Sequence, residues 1–399
     1  VAARPVSGSP GTSRCAASRR HSSSAADSAE RDLGRSHGLL HSGARYADSD
    51  PDGAAACHEE RRIHEEIAGS CLRATGGLFV QVEGDDPAYF EQKRRACASV
   101  GIDTEVLTRA EARKRVPGLA AETVRALAVP DAVVWPSRLV ATIAADAAAH
   151  GATIHTDAPV EGFTVADGRI AAARIGGSLD RRVEPDYVVN AAGPWAGRVA
   201  RMAGAQVGLA PTRGAMVAVD HDSPGPVLNR CREPADGDIV VPHGTQSVLG
   251  TTSVPVEDPS SYPTPDWEVT RCIEECATML PGVADAPVAR TWWGVRPLYA
   301  PDEAGADRRG VSRDFAVLDH AAEGVGNLYS VVGGKLTTYR RMAAAVADRL
   351  CARLGVDRAC ETATRRLPAA DDPRRVDELV AAYGGPNPTD TDIVTAEST

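Results

Sequence analysis

The sequence predicts an α/β protein with two packing regions, and three stretches carry that expectation. A capped amphipathic helix pattern runs from Ser137 through Leu139, Val140, Ile143 and Ala144 to Gly151, and a strand-like segment, 152–155, follows at once. A second strand pattern, 328–332, meets Gly333-Gly334 and then a helix pattern from Thr338 to Leu354 with Gly355 after it. Between 206 and 317, short strand-like runs such as 216–219 and 238–241 dominate. With 399 residues, 43% of them apolar, the chain can fill two or three domains and a sizeable core.

Taken in order, residues 1 to about 33 are rich in Ser, Arg, Ala, Gly and Pro and show neither helical nor strand periodicity, which predicts a disordered segment. The folded pattern begins at Gly34. The apolar run 187–190, closed by Ala191-Ala192-Gly193-Pro194, predicts a buried strand ending in a tight turn. The block 206–317 reads as a mostly antiparallel region with one helix pattern at 266–280, stopped by Pro281. After Leu367 the excess of Pro, Asp and Thr predicts a loosely attached tail.

Charge and cysteine content narrow the function classes. With 44 Lys and Arg against 54 Asp and Glu the net charge is -10, which argues against a nucleic-acid partner held through phosphates. Nine dispersed cysteines without a C-x-x-C pair read as reduced thiols of a cytosolic protein. Cys272 and Cys276 share a helix face but offer too few ligands, so no metal is expected. No apolar stretch reaches the roughly 18 residues a membrane span needs, and no signal peptide is visible. Any membrane contact is then expected to be peripheral or through a partner.

Three clusters could carry chemistry. The segment RSHGLLHSGARYAD, 35–48, places small residues beside donors, as a backbone laid against a planar or phosphate-bearing ligand requires; a plain Gly-rich turn with a solvated Arg is the competing reading. Arg296 and Arg313 flank a second cluster. In GGKLTTYR, 333–340, bare amides at a helix start and the charge of Lys335 would favour an electron-rich acceptor. Singly, each cation also fits a surface ion pair. Together Arg45, Arg296, Arg313 and Lys335 would make a positive pocket that an acidic protein builds for an anionic ligand.

These motifs resemble the flavin-dependent glycerol-3-phosphate dehydrogenases, most closely the FAD-carrying polypeptide of the anaerobic, quinone-linked form. HGLLHSGARY, VVNAAGPWA, the stretch from PTRGAM to NRCREPADGDIVVP, LGTTS, GVRPL and GGKLTTYR follow that family's order over roughly 34–368. The resemblance implies an α/β fold of the D-amino-acid-oxidase type: a doubly wound FAD-binding domain (34–70, 131–205 and 318–355) and an antiparallel β-sheet substrate domain (71–130 and 206–317), with 356–399 as a C-terminal tail. It further implies oxidation of sn-glycerol 3-phosphate to dihydroxyacetone phosphate, with electrons passed through partner subunits to a quinone at the inner face of the cell membrane. Substrate-pocket positions fall on His41, Arg45, Tyr46, Arg296, Arg313 and Lys335, with His41 the candidate base and Lys335 the runner-up. Flavin-facing positions fall on Ser36, His37, Gly38, Ser42, Gly43, Gly334, Leu336 and Thr337, and the adenosine half on Val160, Ala192 and Gly193. Two alternatives stay open: another flavin oxidoreductase of the same fold, acting on an amino acid or 2-hydroxy acid, and a flavin-free inactive remnant.

The start of the chain departs from that pattern. The family opens with a strand, a G-x-G-x-x-G turn whose helix receives the FAD pyrophosphate, and an acid for the ribose; residues 1–33 show neither the turn nor the acid. Joining the third base of each codon to the first two of the next, Val1 through Ser18 can encode Gly-Gly-Ala-Thr-Gly-Val-Gly-Ile-Ala-Arg-Asp-Leu-Ala-Met-Arg-Gly-Val. His21 to Ala26 can likewise encode Leu-Val-Glu-Arg-Gly. This predicts a shifted reading frame, restored just before Gly34, and poor FAD binding by the chain as it stands. The FAD-carrying polypeptide of the anaerobic form often continues into a cysteine-rich region resembling an iron–sulfur module, which the isolated Cys351 and Cys360 do not match.

Overall fold

The computed structural model describes residues 35–383 other than 224 and 301–313, together with the strands Ala2–Arg4 and Arg14–Ser18. Two sheets organise it. The first has six strands, in the order Phe315–Asp319, Leu328–Gly333, Tyr187–Asn190, Ala2–Arg4, Arg14–Ser18, Thr153–His155. The alternation of apolar runs with helices predicts parallel pairing, and Val188 does lie parallel to Leu328. Helices Pro136–Ala149, Ala196–Arg201 and Tyr339–Leu354 pack on these strands.

The second sheet joins strands from 77–129 to strands from 212–296. Thr212–Val219 pairs with three other strands and has every residue buried, which is why its stretch 215–219 reads as an apolar run and not as an alternation. Leu78, Val80, Val217, Leu228 and Leu249 form its core, and the helix Asp266–Ala277 covers that face through Cys272 and Cys276, with Met279 just after it. The sheet is mostly antiparallel, as expected, with one parallel pair: Val227–Arg230 runs parallel to Gly77–Val82. The two strands are far apart in sequence, so no hairpin forces reversal, and the chain between them supplies the long crossover that a parallel pair demands.

Three expectations change. The helix expected to start on a Ser137 cap begins at Pro136, where a fixed φ and a missing N–H suit the first helical position. The segment expected to be disordered carries two strands, Ala2–Arg4 and Arg14–Ser18, because unpaired strand edges on either side offer them hydrogen-bonding partners; the rest of 1–34 lies outside the described residues. The expected loose tail is docked as far as 383, and 384–399 lie outside the described residues: Pro373–Ala382 forms a helix with Val376 and Val380 buried, Val376 packing with Leu40, Val134 and Leu139. Arg138 pairs with Asp377 at 2.9 Å. Its apolar positions, 376 and 380, recur at helical spacing, a signal hidden by the flanking Pro and Asp.

Candidate functional site

A cleft of about 430 Å3 opens where the turns 35–46 and 333–337 meet the second sheet at Gly214, Met216, Ile239, Thr251 and Val295. Its volume suits a small ligand. Gly43 has φ 97°, a left-handed value that favours glycine, and a Cβ there would sit 2.2 Å from the Ala54 carbonyl. The turn can therefore lie directly on the helix Pro51–Ile67. Gly334, at φ 72°, is equally constrained, since its Cβ would lie 2.4 Å from the Met342 sulfur.

Four cationic side chains line this cleft: Arg35, Arg45, Arg296 and Lys335. Arg45 donates to Asn229 Oδ1 at 3.5 Å and pairs with buried Asp238 at 3.4 Å. Arg296, at the end of Val288–Arg296, donates to the Thr252 carbonyl at 3.2 Å, to the Arg213 carbonyl at 3.5 Å and to the Thr251 hydroxyl. Arg35 donates to Tyr262 Oη and to the Trp293 carbonyl. The Lys335 ammonium lies over the Tyr46 ring, 4.4 Å from its centroid. Such a concentration of positive charge in a protein of net charge -10 calls for an anionic ligand.

A second tier of buried polar groups holds the turns. His64 bonds the Thr337 carbonyl at 2.8 Å and stacks on Tyr339, while Glu60 pairs with Arg340 beside it. Thr337 Oγ1 in turn accepts from the His41 amide at 3.3 Å, tying the two turns together. Asp131 accepts from the Ser42 amide at 2.7 Å and from Asn229 at 3.4 Å, so one carboxyl group spans the turn 35–46 and the second sheet. Burial raises its pKa, against the opposing pull of the Ser42 bonds.

His37 is pushed down to about 3, first by burial and then by Arg296 and Arg45. Neutral His37 accepts from the Leu39 amide at Nδ1, 3.1 Å away. Because the unfolded chain takes up this proton near pH 6.5 and the folded chain only near 3, stability is full above 6.5 and declines as pH falls through that window. His37→Asn is expected to flatten the acid limb of stability between pH 6.5 and about 3; urea midpoints at several pH values check this, and an unchanged slope contradicts it.

The structure brings Ser36, His37, His41, Arg45, Tyr46, Arg296, Gly334, Lys335, Leu336 and Thr337 to one cleft. Gly38, Ser42 and Gly43 lie in the same turn; Ser42 is fully buried behind it. His41 is 8% exposed, with its ring 5.3 Å from that of Tyr46. Ala192 and Gly193 follow the strand Tyr187–Asn190, and Val160 begins an edge strand of a separate three-stranded sheet, so these three stand away from the cleft lining. Arg313 lies outside the described residues. Sequence reasoning assigned no role to Arg35, although it opens the segment 35–48, to Asn229, although it opens the NRCREPADGDIVVP stretch, or to the supports Glu60, His64 and Asp131. No local pattern marks these, because each reaches its partner from a distant segment.

Among the described residues the ring end of a flavin site fits: the turn Gly334, Lys335, Leu336 and Thr337 and the turn residues Ser36, His37 and His41 line one cleft of about 430 Å3. The pyrophosphate end does not fit. Ala2–Arg4 and Arg14–Ser18 run antiparallel, whereas a βαβ unit needs parallel strands and a crossover of a dozen or more residues. Among the described residues no group of His, Cys, Asp or Glu is arranged to hold a metal, and no helix is long and apolar enough to cross a membrane.

Comparison with known proteins adds three findings. The family described as DAO, FAD dependent oxidoreductase, matches residues 25–340. The A1 polypeptide of the anaerobic glycerol-3-phosphate dehydrogenase of Haloferax volcanii, named as one of that enzyme's subunits, is 44% identical over 354 residues, covering 85% of this chain and 60% of the relative. The corresponding polypeptide of the Escherichia coli K12 anaerobic enzyme is 37% identical over 349 residues, covering 86% of this chain and 64% of the relative. The chain thus spans less than two thirds of the curated relatives it matches. Among solved structures, glycerol-3-phosphate dehydrogenase from Bacillus halodurans, complexed with FAD, superposes with TM-score 0.65 at 23% identity, covering 88% of this chain and 64% of that one. Glycine oxidase from Geobacillus kaustophilus gives 0.64 at 17% identity, covering 89% and 92%. At those identities the likeness shows the fold.

Proposed function

This chain belongs to the DAO family of FAD dependent oxidoreductases, and from that premise we propose that it oxidises sn-glycerol 3-phosphate to dihydroxyacetone phosphate. The observation that carries the reading is the convergence of Arg45, Arg296, Arg35 and Lys335 on one small cleft beside the Gly334 turn. A phosphate dianion is a fitting ligand for paired guanidinia, whereas an amino acid or 2-hydroxy acid presents a single carboxylate. The relatives' names support the same substrate.

A bound flavin supplies the acceptor for the carbon-bound hydrogen and its electron pair. The chain's own residues do the rest. Arg296 and Arg45 hold the phosphate, and Asn229 and Asp238 fix the Arg45 fork. His41 takes the hydroxyl proton, with Lys335 as the second candidate beside Tyr46. The backbone bond from His41 to Thr337 and the His64 bond beneath it keep that face from drifting. We assign the FAD-binding domain to 34–70, 131–205 and 318–355, and the substrate domain to 71–130 and 206–317. The word "subunit" in the relatives' names supports partner subunits; electron transfer through them to a quinone, at the inner face of the membrane, is part of the same proposal.

A substrate panel with a dye acceptor tests the reading. Flavin-loaded protein should turn over glycerol 3-phosphate with kcat/KM at least about 100-fold above glycerol, glycine or lactate, as two lost charge-assisted hydrogen bonds imply. Preference for glycine or lactate rejects the proposal.

A further inference from the structure

Among the described residues the ring end of a flavin site fits and the pyrophosphate end does not. We infer that residues 1 to about 26 are an out-of-frame translation of the FAD pyrophosphate- and ribose-binding βαβ unit. The chain as it stands binds FAD weakly; the frame-restored chain binds it tightly. The inference rests on family membership and is independent of the substrate.

Strand direction is the first observation. Leu328–Gly333 runs parallel to Tyr187–Asn190, and Arg14–Ser18 parallel to Thr153–His155. Ala2–Arg4 is antiparallel to both of its neighbours, Tyr187–Asn190 and Arg14–Ser18. Those other four strands therefore point one way, and a single reversed strand sits among them at the middle of the sheet. That is the position where a doubly wound sheet aims a strand end and its glycine turn at the cofactor.

The code is the second, independent observation. In the shifted frame the last two bases of each codon are the first two bases of a residue in the present chain. Ala2, Ala3, Val6 and Gly8 begin with the bases that permit glycine, and Pro5 permits threonine, giving Gly-Gly-Ala-Thr-Gly-Val-Gly. Ser22, Ser23 and Ser24 permit Val, Glu and, with Ala25, Arg. The acid then falls about 20 residues beyond the glycine turn, the distance at which a ribose-binding carboxylate belongs. Between them the shifted words Ile-Ala-Arg-Asp-Leu-Ala-Met-Arg-Gly read as a helix with a glycine stop. The shifted words end at Ala26, and the family match in the present frame begins at residue 25.

The reading fixes bases that the present chain leaves open. Arg4 must be encoded CGA, Val1, Ala2 and Pro5 must end in G, and Ser24 must be AGC, because a TCN serine there would abolish the glutamate. Sequencing genomic DNA is expected to find these codons; TCN at Ser24 or other third bases at the glycine positions overturns the inference, whatever any protein does. In parallel, FAD is titrated by equilibrium dialysis and flavin fluorescence into the present chain and into the frame-restored chain. Loss of even two charge-assisted bonds to a pyrophosphate weakens binding by on the order of 100-fold, so a gap of that size is expected. Equal affinities overturn it. A restored chain that holds flavin which glycerol 3-phosphate does not reduce sinks the substrate reading and leaves this inference standing.

Discussion

Replacing Arg296 by methionine in the flavin-loaded protein is expected to lower kcat/KM for glycerol 3-phosphate by on the order of 100- to 1,000-fold. The size follows from removing a forked donor to a dianion, two charge-assisted bonds of about 1.5–3 kcal/mol each. Arg296 is well placed for that role. Its guanidinium lies over Gly214, where a Cβ would meet it at 2.5 Å, and the carbonyls of Arg213 and Thr252 orient it. Arg296→Lys should recover only part of the loss, since a point charge cannot reproduce the fork. Steady-state kinetics decide. A loss below about tenfold would show that the phosphate is anchored elsewhere.

The largest effect on stability is expected at Glu268. This fully buried carboxylate accepts from Arg213 and from Trp293 Nε1, each at 3.0 Å, and from the Thr252 hydroxyl at 2.6 Å. It joins the helix Asp266–Ala277 to the buried strand Thr212–Val219. Glu268→Ala leaves the Arg213 guanidinium buried without its counter-ion, at a cost of about 3–5 kcal/mol. Urea unfolding should show a lower midpoint with an unchanged slope. Adding Arg213→Met to the variant should return much of the loss, because the stranded charge is gone. A singly substituted protein within about 1 kcal/mol of the parent would contradict this account of the pair.

Much of the site was legible because its parts are local. Glycine turns, a helix start and cations beside them stand within a few residues of one another in 35–46 and 333–340, and the fold brings these two segments face to face. The supports were not legible for the opposite reason. Asp131 acts on Ser42 and Asn229, and His64 on Thr337, across 89, 98 and 273 residues of chain. A buried Asp or His without periodic neighbours looks in the sequence like any loop or helix residue. The fold class followed from the alternation of apolar runs and helices. Two features escaped it: the parallel pairing of Val227–Arg230 with Gly77–Val82, which depends on what else reaches the sheet edge, and the docked helix Pro373–Ala382, whose short apolar stripe is meaningful only against Leu139 and Ile67.

If this cleft joins flavin chemistry to a phosphorylated alcohol, reduction of the bound cofactor by that alcohol shows it most directly. The measurement is the visible spectrum of the frame-restored, flavin-loaded protein during anaerobic addition of glycerol 3-phosphate. The flavin absorbance should bleach with glycerol 3-phosphate and persist with glycerol and with inorganic phosphate. A flavin that stays oxidised at saturating glycerol 3-phosphate, yet bleaches with an amino acid or a 2-hydroxy acid, would contradict that role.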